Sequence, residues 1–136
     1  MKLITFTDGG ARGNPGPAAA GIVIKNEAGK TLAAYGEYLG KQTNNFAEYS
    51  GLISALKKAK ELGATEVECR LDSELVTKQM RREYKIKDPG LQKLFILAYN
   101  ASTEFKKVTY HHIFREQNKE ADKQVNETLD KKNLSN

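Results

Sequence analysis

Four acidic residues have the chemical type and the sequence surroundings of a divalent-metal site. Each follows an apolar strand pattern or opens a helical one, and they are Asp8, Glu48, Asp72 and Asp122. Carboxylates that cluster beside a packed core lose solvation and repel one another, so they must either take up protons or bind a cation. The pattern therefore predicts that these side chains meet around a metal ion.

Helical phase places two of these acids on the core-facing sides of their helices. Glu48 is aligned with Leu52 and Ala55, and Asp122 is aligned with Val125. A solvated acid would lie on the opposite face of such a helix. A structural alternative stays open for both, because an acid near a helix N-terminus is also favoured by the helix dipole.

Asp8 and Asp72 each have a structural alternative too, since an aspartate after a strand commonly caps a turn or a helix. The functional interpretation depends on the whole set. Ligands bind at the carboxyl ends of neighbouring strands in an open α/β sheet, and two helices would bring their acids to that same edge.

The elements that must position these acids follow from the periodicity of apolar residues. The predicted order is βββαβααβα, an α/β fold with a five-stranded mixed sheet flanked by helices. The predicted strands are Leu3–Thr7, Gly21–Ile24, Thr31–Tyr38, Glu66–Leu71 and Val108–Ile113. The predicted helices begin near Asn44, Ser73, Leu91 and Asn118 and end near Leu62, Arg82, Ser102 and Lys131.

Length and composition predict one globular domain over residues 1–132, followed by a polar tail over 133–136. The formal net charge of +5 indicates a polyanionic partner, although lysine on solvated helix faces is an alternative explanation. The basic residues are concentrated in the middle of the chain, at Lys57, Lys58, Lys60, Lys78, Arg81, Arg82, Lys85 and Lys87.

The single cysteine, Cys69, excludes an intramolecular disulfide, which suits a reducing compartment. No stretch has the length and apolarity of a signal peptide or a membrane span. We therefore expect a cytoplasmic monomer with no membrane partner.

Four motifs together resemble the type 1 ribonuclease H family in order and spacing, over nearly the whole chain. They are Asp8-Gly9-Gly10 with Gly13-Asn14-Pro15-Gly16, Thr43 to Glu48, Asp72-Ser73, and Asn118 to Asp122. The resemblance implies the ribonuclease H fold and Mg²⁺-dependent endonucleolytic cleavage of the RNA strand in RNA/DNA hybrids. It implies products with 5′-phosphate and 3′-hydroxyl ends.

The resemblance also implies roles for the four acids. Two Mg²⁺ ions roughly 4 Å apart would activate water and stabilise the departing oxygen, with Mn²⁺ as a substitute. Asp8 would bridge both ions, Asp72 and Glu48 would hold the ion on the nucleophile side, and Asp122 would hold the other.

Substrate contacts are implied at positions on both sides of the acids. They are Gly9, Gly10, Asn14, Lys41, Thr43, Asn44, Ser73, Glu74 and Asn118. Lys41, Thr43 and Asn44 match the part of the family that touches the DNA strand, although Thr43 and Asn44 also have the pattern of an ordinary helix cap.

The chain departs from many relatives at three places. Glu74 stands where many relatives carry a glutamine, and this replacement removes an amide donor. Arg115 stands where many relatives carry a histidine in the loop after the fifth strand, and relatives with arginine at that position form a known subgroup. The connection from Arg81 to Gly90 is short and carries no Trp-containing basic helix. We expect weaker, more salt-sensitive hybrid binding, with partial compensation from Arg81, Arg82, Lys85 and Lys87.

His111 and His112 come too early to replace the loop histidine, and we interpret both as structural. The alternative function is a non-catalytic binder of RNA/DNA hybrids or of double-stranded RNA. Four intact, mutually repelling acids favour the enzyme. Double-stranded RNA is a candidate partner both of the enzyme and of the non-catalytic binder.

Overall fold

A computed structural model of the protein describes residues 1–134, which form one sheet, four helices and a short 3₁₀ turn. The strands are β1 (Lys2–Ala11), β2 (Gly16–Asn26), β3 (Thr31–Gln42), β4 (Glu66–Leu71) and β5 (Lys107–His112). The helices are α1 (Asn44–Glu61), α2 (Glu74–Met80), α3 (Pro89–Ser102) and α4 (Lys119–Leu134), and the 3₁₀ turn covers Arg115–Gln117.

The sheet has the strand order β3-β2-β1-β4-β5, so the first strand of the chain is central. The pairs β1–β2 and β2–β3 are antiparallel, whereas β1–β4 and β4–β5 are parallel. The β1–β4 ladder ends where Thr7 pairs with Leu71, while β1 goes on pairing with β2 as far as Ala11 and Ala18. The predicted mixed sheet and element order are confirmed.

Helices pack on both faces of the sheet, and the hydrophobic core on the α1 side is the larger of the two. Helix α1 packs its apolar stripe, including Tyr49, Leu52 and Leu56, into the main core. Helix α4 packs on the other face, where Val125 and Leu129 meet Ala19 of β2. Burial of these side chains is the main favourable term that holds each helix to the sheet.

Glycine lets α4 lie close to β2. A Cβ at Gly21 would collide with the backbone carbonyl of Ala121. The helix backbone therefore approaches the strand more closely than any side chain would permit, and this fixes the first turn of α4 over the sheet.

The structure corrects several predicted boundaries. Asp8 lies inside β1, not at its end, because the glycine and alanine residues after it continue the antiparallel ladder. Helix α2 stops at Met80, since Arg82 adopts a positive φ of 62° that ends the helix. Helix α4 continues to Leu134, so the first two residues of the predicted tail 133–136 are helical, and residues 135 and 136 lie outside the described residues.

Within residues 1–134, no helix combines the length and the apolarity that a membrane crossing requires.

Candidate metal centre and active site

The parallel ladder of β1 and β4 brings two of the acids together. Its last pair is Thr7 with Leu71, so the next residue on each strand is an aspartate, Asp8 or Asp72. Asp8 is buried and Asp72 is half-buried. The predicted meeting of these acids at one sheet edge therefore depends on strand register.

Helix α1 supplies the third acid from its second turn. Thr43 caps the helix by accepting a hydrogen bond from the Phe46 N–H at 3.1 Å, and Glu48 follows on the buried side, 8% exposed. A Cβ at Gly9 would lie against backbone atoms of Ala47 and Glu48, 2.5 Å from the Ala47 carbonyl oxygen. The absence of a side chain at Gly9 thus allows α1 to bring Glu48 onto β1.

Three carboxylates form a compact group. One oxygen each of Asp8, Glu48 and Asp72 lies within 4.8 Å of the other two. Asp122, in the first turn of α4, lines the same cavity but lies outside this closest triad. Its Oδ2 accepts a hydrogen bond from the Asn126 amide at 3.4 Å.

Burial and mutual repulsion change the acidity of the group. Burial, followed by the negative charge of Asp72, raises the pKa of Asp8 from 3.8 to about 7. Burial, followed by the charges of Asp8 and Asp72, raises the pKa of Glu48 well above its usual 4.5. The Gly9 N–H donates to Asp8 Oδ1 at 2.9 Å, which offsets only part of this cost.

The residues present fit a hard divalent cation. Glu48 Oε2 is buried and has no hydrogen-bond partner among the described residues. An orphaned, desolvated carboxylate oxygen is costly unless a cation satisfies it. The donors are all carboxylate oxygens, which Mg²⁺ and similar ions prefer. The structure is therefore compatible with a divalent-metal site.

The triad opens into a cavity of about 540 Å³ whose wall includes several residues predicted to act on substrate. Gly9, Gly10, Asn44, Ser73 and Arg115 line it. Arg115 begins the 3₁₀ turn, is exposed, and adds a guanidinium to the wall of the cavity that contains the acids. The geometry can therefore hold a cation beneath a bound anion.

Other predicted substrate residues have structural partners next to this cavity. Asn14 Oδ1 accepts the Asn44 N–H at 3.0 Å, and Asn44 Oδ1 accepts the Ala11 N–H at 2.8 Å. These bonds join the β1–β2 turn to the start of α1. Ser73 caps α2 by accepting the Val76 N–H at 3.2 Å.

Five predicted contacts lie off the cavity wall: Asn14 and Thr43, which hold the start of α1, and Glu74, Lys41 and Asn118. Glu74 is exposed and pairs with Lys78 at 3.0 Å, and Lys41 is exposed at the end of β3. Asn118 is only 1% exposed, and its amide donates to the Thr7 carbonyl at 2.8 Å. Asn118 thus ties the start of α4 to β1, so a positioning role suits its geometry better than direct substrate contact.

The histidines and the central basic residues also lie away from the acids. His111 bonds Thr109 Oγ1 at 3.0 Å, and the His112 ring packs edge-on against Phe114. Among the basic residues, Arg81 pairs with Glu83 at 2.8 Å, and the Arg82 guanidinium lies over the Tyr99 ring. These contacts agree with a structural role for both histidines.

The cavity residues that the sequence reasoning missed include two polar side chains, Asn126 and Arg12. Asn126 follows Asp122 by one helical turn, so the helical phase could have identified it. Arg12 also lines the cavity, although it belongs to the turn after β1. No sequence signal indicated Arg12, because its reach depends on the geometry of that turn.

Comparisons with known proteins agree with this architecture. A family model described as reverse transcriptase-like matches residues 6–128. The chain is 39% identical to RNase H1 from the halophilic archaeon Halobacterium salinarum, with a TM-score of 0.94 over 96% of this chain and 99% of that one. It is 46% identical to LC11-RNase H1, solved in complex with an RNA/DNA hybrid, with a TM-score of 0.91 over 95% and 97% of the two chains.

A longer relative is the bifunctional protein Rv2228c of Mycobacterium tuberculosis, which is 42% identical over 131 residues. The match covers 96% of this chain but only 36% of that relative. The chain therefore spans about a third of the length of this curated relative.

Proposed function

The chain belongs to the ribonuclease H-like family, and on this premise we propose that it is an endoribonuclease acting on the RNA strand of RNA/DNA hybrids. Water attacks the phosphorus, the bond from phosphorus to the 3′ oxygen breaks, and the products carry 5′-phosphate and 3′-hydroxyl ends. The acidic triad of Asp8, Glu48 and Asp72 is the observation that carries this proposal.

The four acids would hold the metal. Asp8, Glu48 and Asp72 offer oxygens close enough for one shared cation, and Asp122 lines the same cavity for a second. When bound, two Mg²⁺ ions, or Mn²⁺ in their place, supply a stronger nucleophile from water and neutralise charge on the phosphodiester.

The other residues of the chain hold the substrate over the acids. The Gly9–Gly10 backbone and Asn44 form one side of the cavity, and Ser73 forms part of another. The polar groups on these elements can read the 2′-hydroxyl, which alone distinguishes RNA from DNA at a given sugar. Arg115 lines the same cavity, and its guanidinium would attract the cleaved phosphate as the product leaves.

The finer points of the function stay predictions. They are the choice of Mg²⁺, a count of two ions, activity on double-stranded RNA, a monomeric state and a cytoplasmic location. The hybrid in the LC11-RNase H1 complex supports the choice of substrate, since the two chains are 46% identical over nearly their full lengths.

A substrate panel tests the proposal. We expect the protein with Mg²⁺ to cut the labelled RNA strand of an RNA/DNA hybrid and to leave a DNA duplex of the same sequence intact. An RNA/RNA duplex in the same assay measures the tolerance for double-stranded RNA. Binding of the hybrid without cleavage in either Mg²⁺ or Mn²⁺ would contradict the enzyme and support the non-catalytic binder.

A further inference from the structure

Arg12 is a cation of the cavity that the sequence motifs leave without a role. Together with Arg115, it is one of two basic side chains lining the cavity in the described part of the chain. Arg12 lies on the wall formed by α4, where Val125 and Leu129 also face the cavity. The two arginines belong to different segments, the β1–β2 turn and the 3₁₀ turn.

The backbone at Arg12 is held in place, so its side chain is the part that can move. The Arg12 N–H donates to the Pro17 carbonyl at 2.9 Å and closes the β1–β2 turn. A Cβ at Gly16 would collide with the Arg12 carbonyl oxygen, which shows how tightly the turn is folded. The neighbouring Ala11 N–H is anchored to Asn44.

The guanidinium of Arg12 reaches across to α4. Its Nη2 donates to Asp130 Oδ1 at 2.6 Å, and the two side chains are 39% and 63% exposed. Exposed pairs contribute little to stability because water and salt screen them. A phosphate that enters the cavity can therefore replace the Asp130 carboxylate at small cost.

We propose that Arg12 binds a backbone phosphate of the substrate on the α4 side of the acids, and that Asp130 holds the side chain until this phosphate displaces it. The inference rests on the proposed function, because it takes the RNA/DNA hybrid as the ligand. The planar guanidinium matches phosphate oxygens in a bidentate geometry. The phosphates beside the scissile phosphate also need a nearby cation, because the carboxylates of the cavity repel them.

The proposal predicts a specific change in salt dependence. Loss of one phosphate contact in Arg12→Ala should lower the slope of log Kd against log salt by about one. Arg12→Lys keeps the positive charge but loses the bidentate geometry of the guanidinium. The slope of log Kd against log salt should therefore match that of the parent protein, while Kd rises. Asp130→Asn removes the competing carboxylate and should tighten binding several-fold.

A matched control separates competition from a general change in charge. Glu127 lies one turn before Asp130 on α4 and pairs with Lys123 at 3.7 Å. Glu127→Gln therefore makes the same change in net charge away from Arg12. The gain from Asp130→Asn should exceed that of Glu127→Gln, and it should disappear when Arg12 is alanine.

Fluorescence anisotropy with a labelled hybrid, in Mg²⁺ and an Asp72→Asn background, measures these affinities over a series of salt concentrations. Urea denaturation of each variant confirms that it is folded. An unchanged slope in Arg12→Ala, or an equal gain from Asp130→Asn with and without Arg12, overturns the inference alone. If the wild-type protein neither binds nor cuts the hybrid in Mg²⁺ at any salt concentration, the proposed function fails and this inference fails with it.

Discussion

Among its individual side chains, the site combines acids that the fold desolvates with cations that stay exposed. Asp8 and Glu48 are each 8% exposed, and the strand register and the approach of α1 to Gly9 bring them close to each other and to Asp72. Their ionised forms are therefore costly in the metal-free protein. This cost is the physical reason to expect that stability, proton binding and cation binding depend on one another.

The metal-free protein should lose stability as the pH rises from about 4 to about 7. The pKa of Asp8 is raised from 3.8 to about 7, so in this window the folded protein keeps a proton that the unfolded chain has released. Stability contributed by that proton is lost as the pH rises through the folded pKa. Urea denaturation in EDTA at pH 5 and pH 7.5 should show a fall on the order of 2–4 kcal/mol.

Asp8→Asn is the control for this titration, because the amide cannot ionise. Its stability should fall less over the same range, and it should exceed the wild-type value at pH 7.5 in EDTA. An equal fall in both proteins would show that Asp8 is not the group responsible.

Glu74 gives a second prediction about an individual side chain. Its carboxylate is exposed and its pKa is lowered by Lys78, so it is ionised at neutral pH. Glu74→Gln removes a negative charge near Ser73 and restores an amide donor, and we expect the KM for hybrid to fall about threefold with little change in stability.

Glu61→Gln is the matched control for Glu74→Gln. Glu61 pairs with Lys58 in the last turn of α1, away from the cavity. Steady-state kinetics should show a lower KM only for Glu74→Gln, and equal values for the two variants would exclude a substrate contact at position 74.

At the element scale, glycines determine how closely the helices approach the sheet. Gly9 admits the backbone of α1, and Gly21 admits that of α4. Each helix delivers one acid, so the packing at a glycine fixes the position of a carboxylate.

Gly9→Ala should destabilise the fold and displace Glu48. Its Cβ has no space beside the backbone of Ala47 and Glu48, and we expect the free energy of unfolding to fall by about 2–4 kcal/mol. Gly10→Ala is the control, because its Cβ would meet Val125 at an ordinary 3.8 Å. Similar unfolding free energies for both variants would contradict this account of α1 packing.

The sequence predicted the elements well and their ends poorly. Apolar periodicity identified all five strands and four helices, because each buries one continuous face, as Val67, Cys69 and Leu71 do in β4. It missed the extension of β1 past Asp8, since glycine and alanine carry no apolar pattern and their pairing depends on β2.

At the scale of the whole molecule, the predicted acids meet, but the residues around them follow from tertiary contacts. Helical phase and strand ends indicated where Glu48 and Asp72 would point. The contact between Arg12 and Asp130 spans 118 positions in the sequence and could not be inferred from local pattern. The burial of Asn118 likewise depends on its contact with β1, which is distant in the sequence, so no local pattern predicts it.

The net charge of +5 is a property of the whole molecule that favours binding of a polyanion. Hybrid binding should weaken steeply with salt, because it releases counterions from the phosphates that basic side chains contact. We expect the KM for hybrid to rise with salt while kcat changes little, as measured by initial rates over a series of salt concentrations. A KM independent of salt would show that phosphate contacts contribute little to binding.

We propose that the carboxylates at the β1–β4 edge of the sheet are required for cleavage of the RNA strand. An assay of Mg²⁺-dependent cleavage of a labelled RNA/DNA hybrid by wild type, Asp72→Asn and Asp88→Asn tests this role. Asp88 caps α3 away from the cavity, and asparagine caps equally well, so it controls for the chemical change. We predict that Asp72→Asn lowers the cleavage rate at least about 1,000-fold while Asp88→Asn cuts normally. Cleavage by Asp72→Asn at the wild-type rate would contradict the account.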